Sequence, residues 1–168
     1  MVKKLTVLVL LSVAVAAVAT AQERSVFAGG CFWCMEEAFE EVPGVLSVVS
    51  GYAQGTVANP TYEEVTRGGT GHAEVVEVRY DPEVVSYERL LQVFWRNIDP
   101  FDGGGQFCDR GSSYRAGIYY DSEEERELAL DSLERVRAQF DRDIATEVEA
   151  LDTFYVAEQY HQDYYRRN

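Results

Sequence analysis

Two cysteines, Cys31 and Cys34, stand two residues apart in the segment GGCFWCMEEAF, residues 29–39. A cysteine that opens a helix lies near unpaired backbone N–H groups and the positive end of the helix dipole, and both favour the thiolate. The sequence therefore predicts that Cys31 is a nucleophile. Cys34 follows one helical turn later on the same face, so the two sulfur atoms are suited to make and break a disulfide after modest local rearrangement.

Other uses of a C-x-x-C pair have to be weighed against this one. A zinc site requires a second pair of ligands, and the remaining soft ligands, Cys108, His72 and His161, are isolated in the sequence. A c-type haem site requires a histidine directly after the pair, where this chain has Met35. A thioredoxin-type oxidoreductase and an inert disulfide in a core helix both stay open. The two bulky aromatic residues between the cysteines suit a hydrophobic pocket beside the nucleophile, and they would also fit a core helix.

The first 21 residues have the pattern of a secretory signal peptide. Lys3 and Lys4 precede an apolar run over residues 5–18, and residues 19–21 match a cleavage site of small residues. The alternative is an uncleaved membrane anchor, but the run is short for a span, which needs roughly 17 or more apolar residues. We therefore expect residues 22–168 to form an exported domain, periplasmic or secreted, with no stable membrane association after cleavage.

The exported part of the chain is strongly acidic. The whole sequence carries a net charge of −14, which becomes −16 without its only two lysines, Lys3 and Lys4. Such a surface repels nucleic acid and anionic membranes, so neither is an expected partner. The sequence has 3 cysteines, an odd number that leaves at least one thiol without a partner in the chain and is small for a disulfide scaffold. The cysteines are therefore predicted to have a chemical role.

The hydrophobic pattern and the turn residues predict strands and helices in alternation. The predicted strands cover residues 25–28, 45–52, 73–80, 115–120 and 147–155, and the predicted helices cover residues 31–42, 61–67, 87–98, 122–142 and 157–167. Ser122 is expected to cap the helix that it opens. Two long segments, 53–72 and 99–113, lack clear regular structure, and loops of that length are often functional. The elements predict one α+β domain, a two-layer sandwich with helices on a mixed or antiparallel sheet.

Six segments, in order along the chain, resemble the A-type peptide-methionine sulfoxide reductases. They are GGCFWCME, GYAQGTVANPTYEEV, GTGHAEVVEVRYDP, FWRNIDP, GQFCDRGSSYRAGIYY and AEQYHQDYYRRN, and the resemblance spans residues 25–168. It implies an α+β fold with a ferredoxin-like core, and reduction of the S epimer of methionine sulfoxide, free or in proteins, to methionine. It implies no metal, no bound organic cofactor, and a thioredoxin-like dithiol donor. We expect a monomer.

The resemblance also implies roles for the residues around Cys31, which it makes the nucleophile. Phe32 and Trp33 match the wall that receives the S-methyl group of the substrate, and Glu74 matches the carboxyl group that handles the sulfoxide oxygen. Glu74 shares its predicted strand face with Val76. A carboxyl group can protonate that oxygen near neutral pH only if burial keeps it in the acid form, which we predict for Glu74.

Four more residues match positions of the family's site. They are Tyr62 and Tyr114, as phenols that hydrogen-bond the sulfoxide oxygen, Asp109, as an acidic residue lining the site, and His161, as a residue near it. Tyr62 and Glu74 belong to the first long loop and its following strand, and Asp109 and Tyr114 belong to the second loop. Both loops are therefore expected to converge on Cys31. Each residue also has a plainer interpretation, as a packing aromatic, a loop cap or a solvated strand residue.

The resolving thiol and the wider function leave alternatives. Many family members have glycine where this chain has Cys34 and use cysteines of a C-terminal tail, whereas this sequence has none after Cys108. We expect a Cys31–Cys34 disulfide, with Cys108 either a competitor or a buried small apolar residue. A general thiol–disulfide oxidoreductase would be indifferent to Glu74. A binding module would hold methionine segments without turnover.

Overall fold

A mixed sheet of six strands is the frame of residues 22–168, the part of the chain that the computed structural model describes. The strands are β1 (Glu23–Gly29), β2 (Val45–Ala53), β3 (Ala73–Tyr80), β4 (Gly105–Gln106), β5 (Asp109–Arg110), β6 (Ala116–Tyr120), β7 (Glu147–Ala150) and β8 (Tyr155–Val156). The sheet order is β7-β6-β1-β3-β2-β8, and β4 and β5 form a separate small hairpin. The predicted signal peptide, residues 1–21, lies outside the described residues. Within those described, we find no helix with the length and apolar character needed to cross a membrane.

Five α-helices and one 3₁₀ turn complete the described chain. They are α1 (Phe32–Glu40), α2 (Tyr62–Arg67), α3 (Tyr87–Arg96), the 3₁₀ turn Ser112–Tyr114, α4 (Glu123–Arg137) and α5 (Tyr164–Arg167). Three of the helices begin at a hydroxyl residue whose side chain accepts the backbone N–H three residues on: Thr61, Ser86 and Ser122. The predicted cap at Ser122 is thereby confirmed.

The four central strands have the ferredoxin-like arrangement. Their order is β6-β1-β3-β2, every neighbouring pair is antiparallel, and α1 and α3 form the two helical crossings, from β1 to β2 and from β3 towards β6. At the edges, β7 pairs with β6 in parallel and β8 pairs with β2 antiparallel. The expected α+β fold with a mixed sheet and a ferredoxin-like core is confirmed.

The main core lies between the sheet and the helices. Phe27 of β1 stacks on Phe39 of α1 and Phe94 of α3, with ring centroids 4.9 Å and 5.6 Å away. From β3, Val76 and Val78 enter the same cluster. Because side chains of a strand alternate between faces, Glu74 also faces the helices, as its position in the sequence predicts. That alternation brings a carboxyl group to the helix side of the sheet.

Four predictions differ from the structure by more than two residues. The helix predicted over 122–142 ends at Arg137, five residues earlier. The strand predicted over 147–155 is two strands, β7 and β8, at opposite edges of the sheet. Between them, Leu151 and Phe154 pack against the face of the sheet that bears no helix. The helix predicted over 157–167 is reduced to α5, because the Gln162 side chain bonds to distant backbone and Asp163 takes a left-handed conformation, with φ 51°. The segment 99–113, expected to be a loop, contains β4, β5 and the first two residues of the 3₁₀ turn.

Candidate active site

Two glycines bring β1 into α1 and place Cys31 at the junction. Gly30 has φ 87°, and a Cβ there would lie 2.6 Å from the Cβ of Gln106. A Cβ on Gly29 would lie 2.3 Å from the sulfur of Met35. A Cβ at Gly29 would require Met35 to move, and one at Gly30 would require both a positive φ and movement of Gln106, whose contact seats the β4–β5 hairpin against the start of α1. Cys31 is then the N-cap of α1, in an extended conformation.

The Cys31 thiol is half-buried and remains protonated in the free protein. Burial raises its pKa to about 12, the negative charge of Glu74 adds to the rise, and hydrogen bonds from the backbone N–H groups of Trp33 and Cys34 oppose it. The N–H groups act in the expected direction, but the loss of solvent outweighs them.

Glu74 offers one carboxyl oxygen to the site. The residue is 1% exposed, and its Oε2 accepts the backbone N–H of Phe32 at 3.1 Å. Its Oε1 is buried and has no hydrogen-bond partner within residues 22–168. Burial raises the pKa of Glu74 to about 8, against the effect of the Phe32 N–H and with a further rise from the charge of Asp109. As predicted, the carboxyl group is mainly protonated at neutral pH, roughly nine-tenths at pH 7.

Two phenols and a carboxylate complete the polar side of the site. Tyr62 is the first residue of α2, and Tyr114 ends the 3₁₀ turn. Burial raises the pKa of both phenols, and the charge of Glu74 raises it further, so both stay neutral hydrogen-bond donors. Asp109, half-buried on β5, is close enough for its charge to act on Glu74 and Tyr114. The structure thus brings both long loops to Cys31.

An aromatic cluster forms the apolar side. Phe32 is 1% exposed, and its ring centroid lies 5.9 Å from that of Trp33, 6.2 Å from that of Tyr62 and 5.0 Å from that of His161. Trp33 in turn stacks on Tyr164 at 3.8 Å. His161 is buried among these rings, so the structure places it beside the site as the sequence suggested. The cluster is therefore an aromatic wall that begins at the two residues directly after Cys31.

Sequence reasoning assigned no role to three residues that the structure brings to this region. They are Tyr52, Glu158 and Tyr164. The Tyr52 ring lies 6.0 Å from that of Phe32, and its phenol donates a hydrogen bond to Glu158 at 2.9 Å. All three stand inside segments that carry the family resemblance, which was the one signal available for them. Their positions depend on contacts between β2 and the C-terminal segment, which a local pattern does not reveal.

The two other cysteines are both exposed and free. Cys31 is the N-cap of α1 and Cys34 is its third helical residue. Thr61 and Glu64 have the same two positions in α2, where their side chains meet in a capping box, so this spacing brings two side chains together. Cys108 lies in the turn of the β4–β5 hairpin. The interpretation of Cys108 as a buried apolar residue is wrong, because a two-residue turn projects it into solvent.

One group of acidic side chains is near enough to share a metal ion. Within the described residues, Glu36, Glu40 and Asp163 have ligand atoms within 4.8 Å of one another. Glu36 already accepts the N–H of Asp163 and the hydroxyl of Ser50, and Glu40 pairs with Arg166. These carboxylates are satisfied by the protein, and none of them belongs to the set around Cys31.

The fold and the site define a cysteine-dependent oxidoreductase on a ferredoxin-like frame: a thiol lies beside a carboxylic acid, two phenols and an aromatic wall. Comparison with known proteins gives its family. The sequence model of the family described as "Peptide methionine sulfoxide reductase" matches residues 23–168. The chain belongs to the peptide methionine sulfoxide reductase family.

Individual relatives cover most of the chain. "Peptide methionine sulfoxide reductase MsrA" of Streptococcus agalactiae serotype III is 52% identical over 148 residues, 87% of this chain and 88% of the relative. The protein of the same name from Bacillus pumilus is 51% identical over 149 residues, 88% and 84% of the two chains. Among solved structures, methionine sulfoxide reductase A of Corynebacterium diphtheriae has 34% identity and a TM-score of 0.79, with 88% of this chain and 75% of that chain covered. Reduced Mxr1 from Saccharomyces cerevisiae has 29% identity and a TM-score of 0.84, with 91% and 89% covered.

Proposed function

We propose that the chain reduces methionine sulfoxide, free or within proteins, to methionine, and that it acts on the S epimer. One observation carries the proposal. The protonated Glu74 carboxyl is held by the Phe32 N–H, and its second oxygen is buried beside Cys31 with no partner among residues 22–168. A sulfoxide has the matching groups, a polar oxygen that must be protonated and a sulfur that a thiol can attack. Family membership over residues 23–168 supports the same activity.

The reduction step oxidises Cys31 as the sulfoxide loses its oxygen. Phe32 and Trp33 receive the S-methyl group and thereby orient the sulfoxide sulfur towards the thiol. Glu74, with the phenols of Tyr62 and Tyr114, hydrogen-bonds and protonates the oxygen as the Cys31 sulfur attacks. A bond forms between the Cys31 sulfur and the sulfoxide sulfur, and the S–O bond of the substrate breaks as the oxygen, with the Glu74 proton and the thiol proton, leaves as water. Water then attacks the Cys31 sulfur, the S–S bond breaks, and one proton returns to Glu74. Methionine leaves, and the thiol has become a sulfenic acid with no net gain or loss of protons.

Cys34 resolves the sulfenic acid in our proposal. Its thiol attacks the oxidised Cys31 sulfur, water leaves, and a disulfide joins the two residues. The N-cap and third helical positions suit this bond, because a disulfide requires Cα atoms within roughly 7 Å. Cys108 is the competitor, since Gln106, two residues before it, packs against the start of α1. A thioredoxin-like dithiol protein then reduces the disulfide, and the reaction needs no metal or organic cofactor.

The proposed location is outside the cytoplasm. The run of basic, apolar and small residues over 1–21 supports export, to the periplasm or the medium, with cleavage after Ala21. Exported protein would act as a monomer on oxidised proteins, without stable membrane contact. The mass of the protein recovered from the native host tests this directly. A mass that matches a chain beginning at Gln22 would support export with cleavage, and membrane-bound protein with an intact N-terminus would contradict it.

A single-turnover experiment tests activity and resolving thiol together. Reduced protein is mixed with the separated R and S epimers of a blocked methionine sulfoxide, methionine is quantified, and the cysteines are mapped by mass after digestion. We expect one methionine per protein from the S epimer only, a Cys31–Cys34 disulfide, and Cys108 left as a thiol. Reduction of a test disulfide without any methionine would instead indicate a general oxidoreductase.

Variants separate the two chemical steps. Cys31→Ser should form no methionine. Cys34→Ser should complete the first turnover and then hold a sulfenic acid on Cys31, which dimedone labels, whereas Cys108→Ser should behave as the parent protein does. Steady turnover of Cys34→Ser with a thioredoxin-like donor would remove Cys34 from the resolving role. Binding of the substrate by Cys31→Ser with no turnover by the parent protein would favour a binding module.

A further inference from the structure

Glu158 lies in the segment between β8 and α5 and has no role in the proposed reaction, but its side chain forms hydrogen bonds to two residues near the site. Its Oε1 accepts the backbone N–H of Tyr62 at 2.9 Å, and its Oε2 accepts the phenol of Tyr52 at 2.9 Å. The side chain is 33% exposed. One carboxylate therefore joins the C-terminal segment to the first residue of α2 and to β2, on both sides of the aromatic cluster.

The hydrogen bond to Tyr62 completes the start of α2. The first N–H groups of a helix have no acceptor within it. In α2 the Thr61 side chain accepts the N–H of Glu64, and Glu158 accepts the N–H of Tyr62. Since α2 has only 6 residues, its first turn is most of the helix and decides where the Tyr62 ring points. That ring lies 4.3 Å from His161, between centroids.

The segment that carries Glu158 is itself fastened to β2. Gln162 binds both the N–H and the carbonyl oxygen of Ser50, at 3.0 Å each, and also the carbonyl oxygen of Ala157. The Ala157 N–H donates to the Ser50 carbonyl at 2.9 Å. These bonds hold the backbone on either side of Glu158 against the sheet. The carboxylate is therefore a fixed point from which α2 is positioned.

Glu158 is ionised and suited to this role. Burial raises its pKa, but the N–H of Tyr62 and the phenol of Tyr52 outweigh that effect, so that the pKa lies below its ordinary value. His161 is a weaker link, because its Nε2 is 3.9 Å from the Glu158 carboxylate and neither ring nitrogen has a hydrogen-bond partner in the described part of the chain. Burial lowers the pKa of His161, with Glu158 opposing, so the ring is mainly neutral at pH 7.

We propose that Glu158 is a positioning residue for methionine sulfoxide reduction: by holding the first turn of α2, it aims the Tyr62 phenol at the sulfoxide oxygen. The inference rests on the proposed function, because the aim of Tyr62 matters only if a sulfoxide oxygen is bound there. It makes Glu158 act on Tyr62 directly, whereas Tyr114, on the other long loop, is linked to Glu158 only through the hydrogen bond between the two phenols. This difference between two phenols with the same chemistry supplies the test.

The experiment compares the loss caused by Glu158→Ala in two backgrounds. With Tyr114→Phe, Tyr62 is the only phenol of the pair. Glu158→Ala should then lower kcat, measured as the single-turnover rate constant at saturating substrate, at least about tenfold, since small misplacement of a reacting group is costly. With Tyr62→Phe, there is no phenol for Glu158 to aim, and the same change should lower kcat less than about threefold. KM should change little in either background, because the hydrogen bond from the Tyr62 phenol to the sulfoxide oxygen is made in the transition state.

Two further variants separate position from charge and from folding. Glu158→Gln can accept the Tyr62 N–H through its amide oxygen and donate to the Tyr52 oxygen, so it should keep kcat within about threefold of its parent. Glu63→Gln removes a neighbouring exposed carboxylate of α2 and should leave kcat unchanged. If Glu158→Ala does not fold, as judged by thermal unfolding, Glu158→Asp replaces it, because its shorter side chain cannot reach both partners.

Each result decides the inference. Equal losses in the Tyr62→Phe and Tyr114→Phe backgrounds, or no loss with Tyr114→Phe, would overturn it while leaving methionine formation intact. A Glu158→Gln variant as impaired as Glu158→Ala would assign the effect to charge and also overturn it. If the parent protein itself forms no methionine from either epimer, the proposed function fails first, and the inference falls with it.

Discussion

The pH dependence of methionine formation tests how Glu74 and Cys31 share their protons. Burial raises the pKa of Glu74 to about 8, and burial together with the Glu74 charge raises that of Cys31 to about 12. Reaction requires a proton on Glu74, for the sulfoxide oxygen, and none on Cys31. The reacting form thus holds one proton fewer than the form that dominates at pH 7. Because the two groups interact, the one remaining proton is distributed between Glu74 and Cys31. The fraction of the singly protonated protein that has this proton on Glu74 does not vary with pH.

The amount of singly protonated pair therefore sets the rate. With a first pKa of about 8, this form is about 1% of the protein at pH 6, about 50% at pH 8 and about 90% at pH 9. The value of kcat/KM reports the groups of the free protein. We expect it to rise roughly 90-fold from pH 6 to pH 9 and then to level off until Cys31 titrates.

The assay is single-turnover methionine formation from the S epimer, far below saturation, between pH 6 and pH 10. In Glu74→Gln the amide neither titrates nor gives a proton to the oxygen. Its kcat/KM should be lower by about 10²–10⁴ and should rise about tenfold per pH unit without a break near pH 8. A parent profile that is flat or falls from pH 6 to pH 9 would mean that the fully protonated pair reacts, and the reasoning would be refuted.

Three further predictions concern stability, each measured by urea unfolding. The folded pKa of Glu74 lies above the ordinary value of 4.5, so its contribution to stability is fully present below about pH 4.5 and is lost as pH rises towards 8. Relative to Glu74→Gln, the parent should lose about 4 kcal/mol over that range, and parallel curves would contradict this. Gly30→Ala combines φ 87° with a Cβ 2.6 Å from Gln106 and should lower the free energy of unfolding by about 2–4 kcal/mol. The control Gly69→Ala, at φ 90° but in open space, should lower it by about 1 kcal/mol. Equal losses would exclude the collision with Gln106 as the cause. Thr61→Ala removes the capping box of α2 and should cost about 1 kcal/mol, and no loss would mean that the box is not needed.

The central elements could be predicted because their causes are local. The start of α4 follows from Ser122 and the acidic residues after it, and the face of Glu74 follows from alternation along β3. The C-terminal quarter could not be predicted in the same way. Leu151 donates its N–H to the carbonyl oxygen of Tyr120, and Gln162 takes its partners from Ser50, far away in the sequence. Such bonds replace the local ones that the pattern of residues 147–167 suggested.

The sequence by itself determined which residue types stand where: a cysteine at a helix start, an aromatic pair after it, and a carboxyl group on the inner face of a strand. It also determined the family, because ordered segments along the whole domain carry the resemblance. Only the tertiary structure decided the state of these groups. The N–H groups at the start of α1 lower the pKa of Cys31, as its position predicts, yet burial outweighs them and keeps both Cys31 and Glu74 mainly protonated at neutral pH. Burial is a sum over elements that are distant in the sequence, and the fold alone brings those elements together.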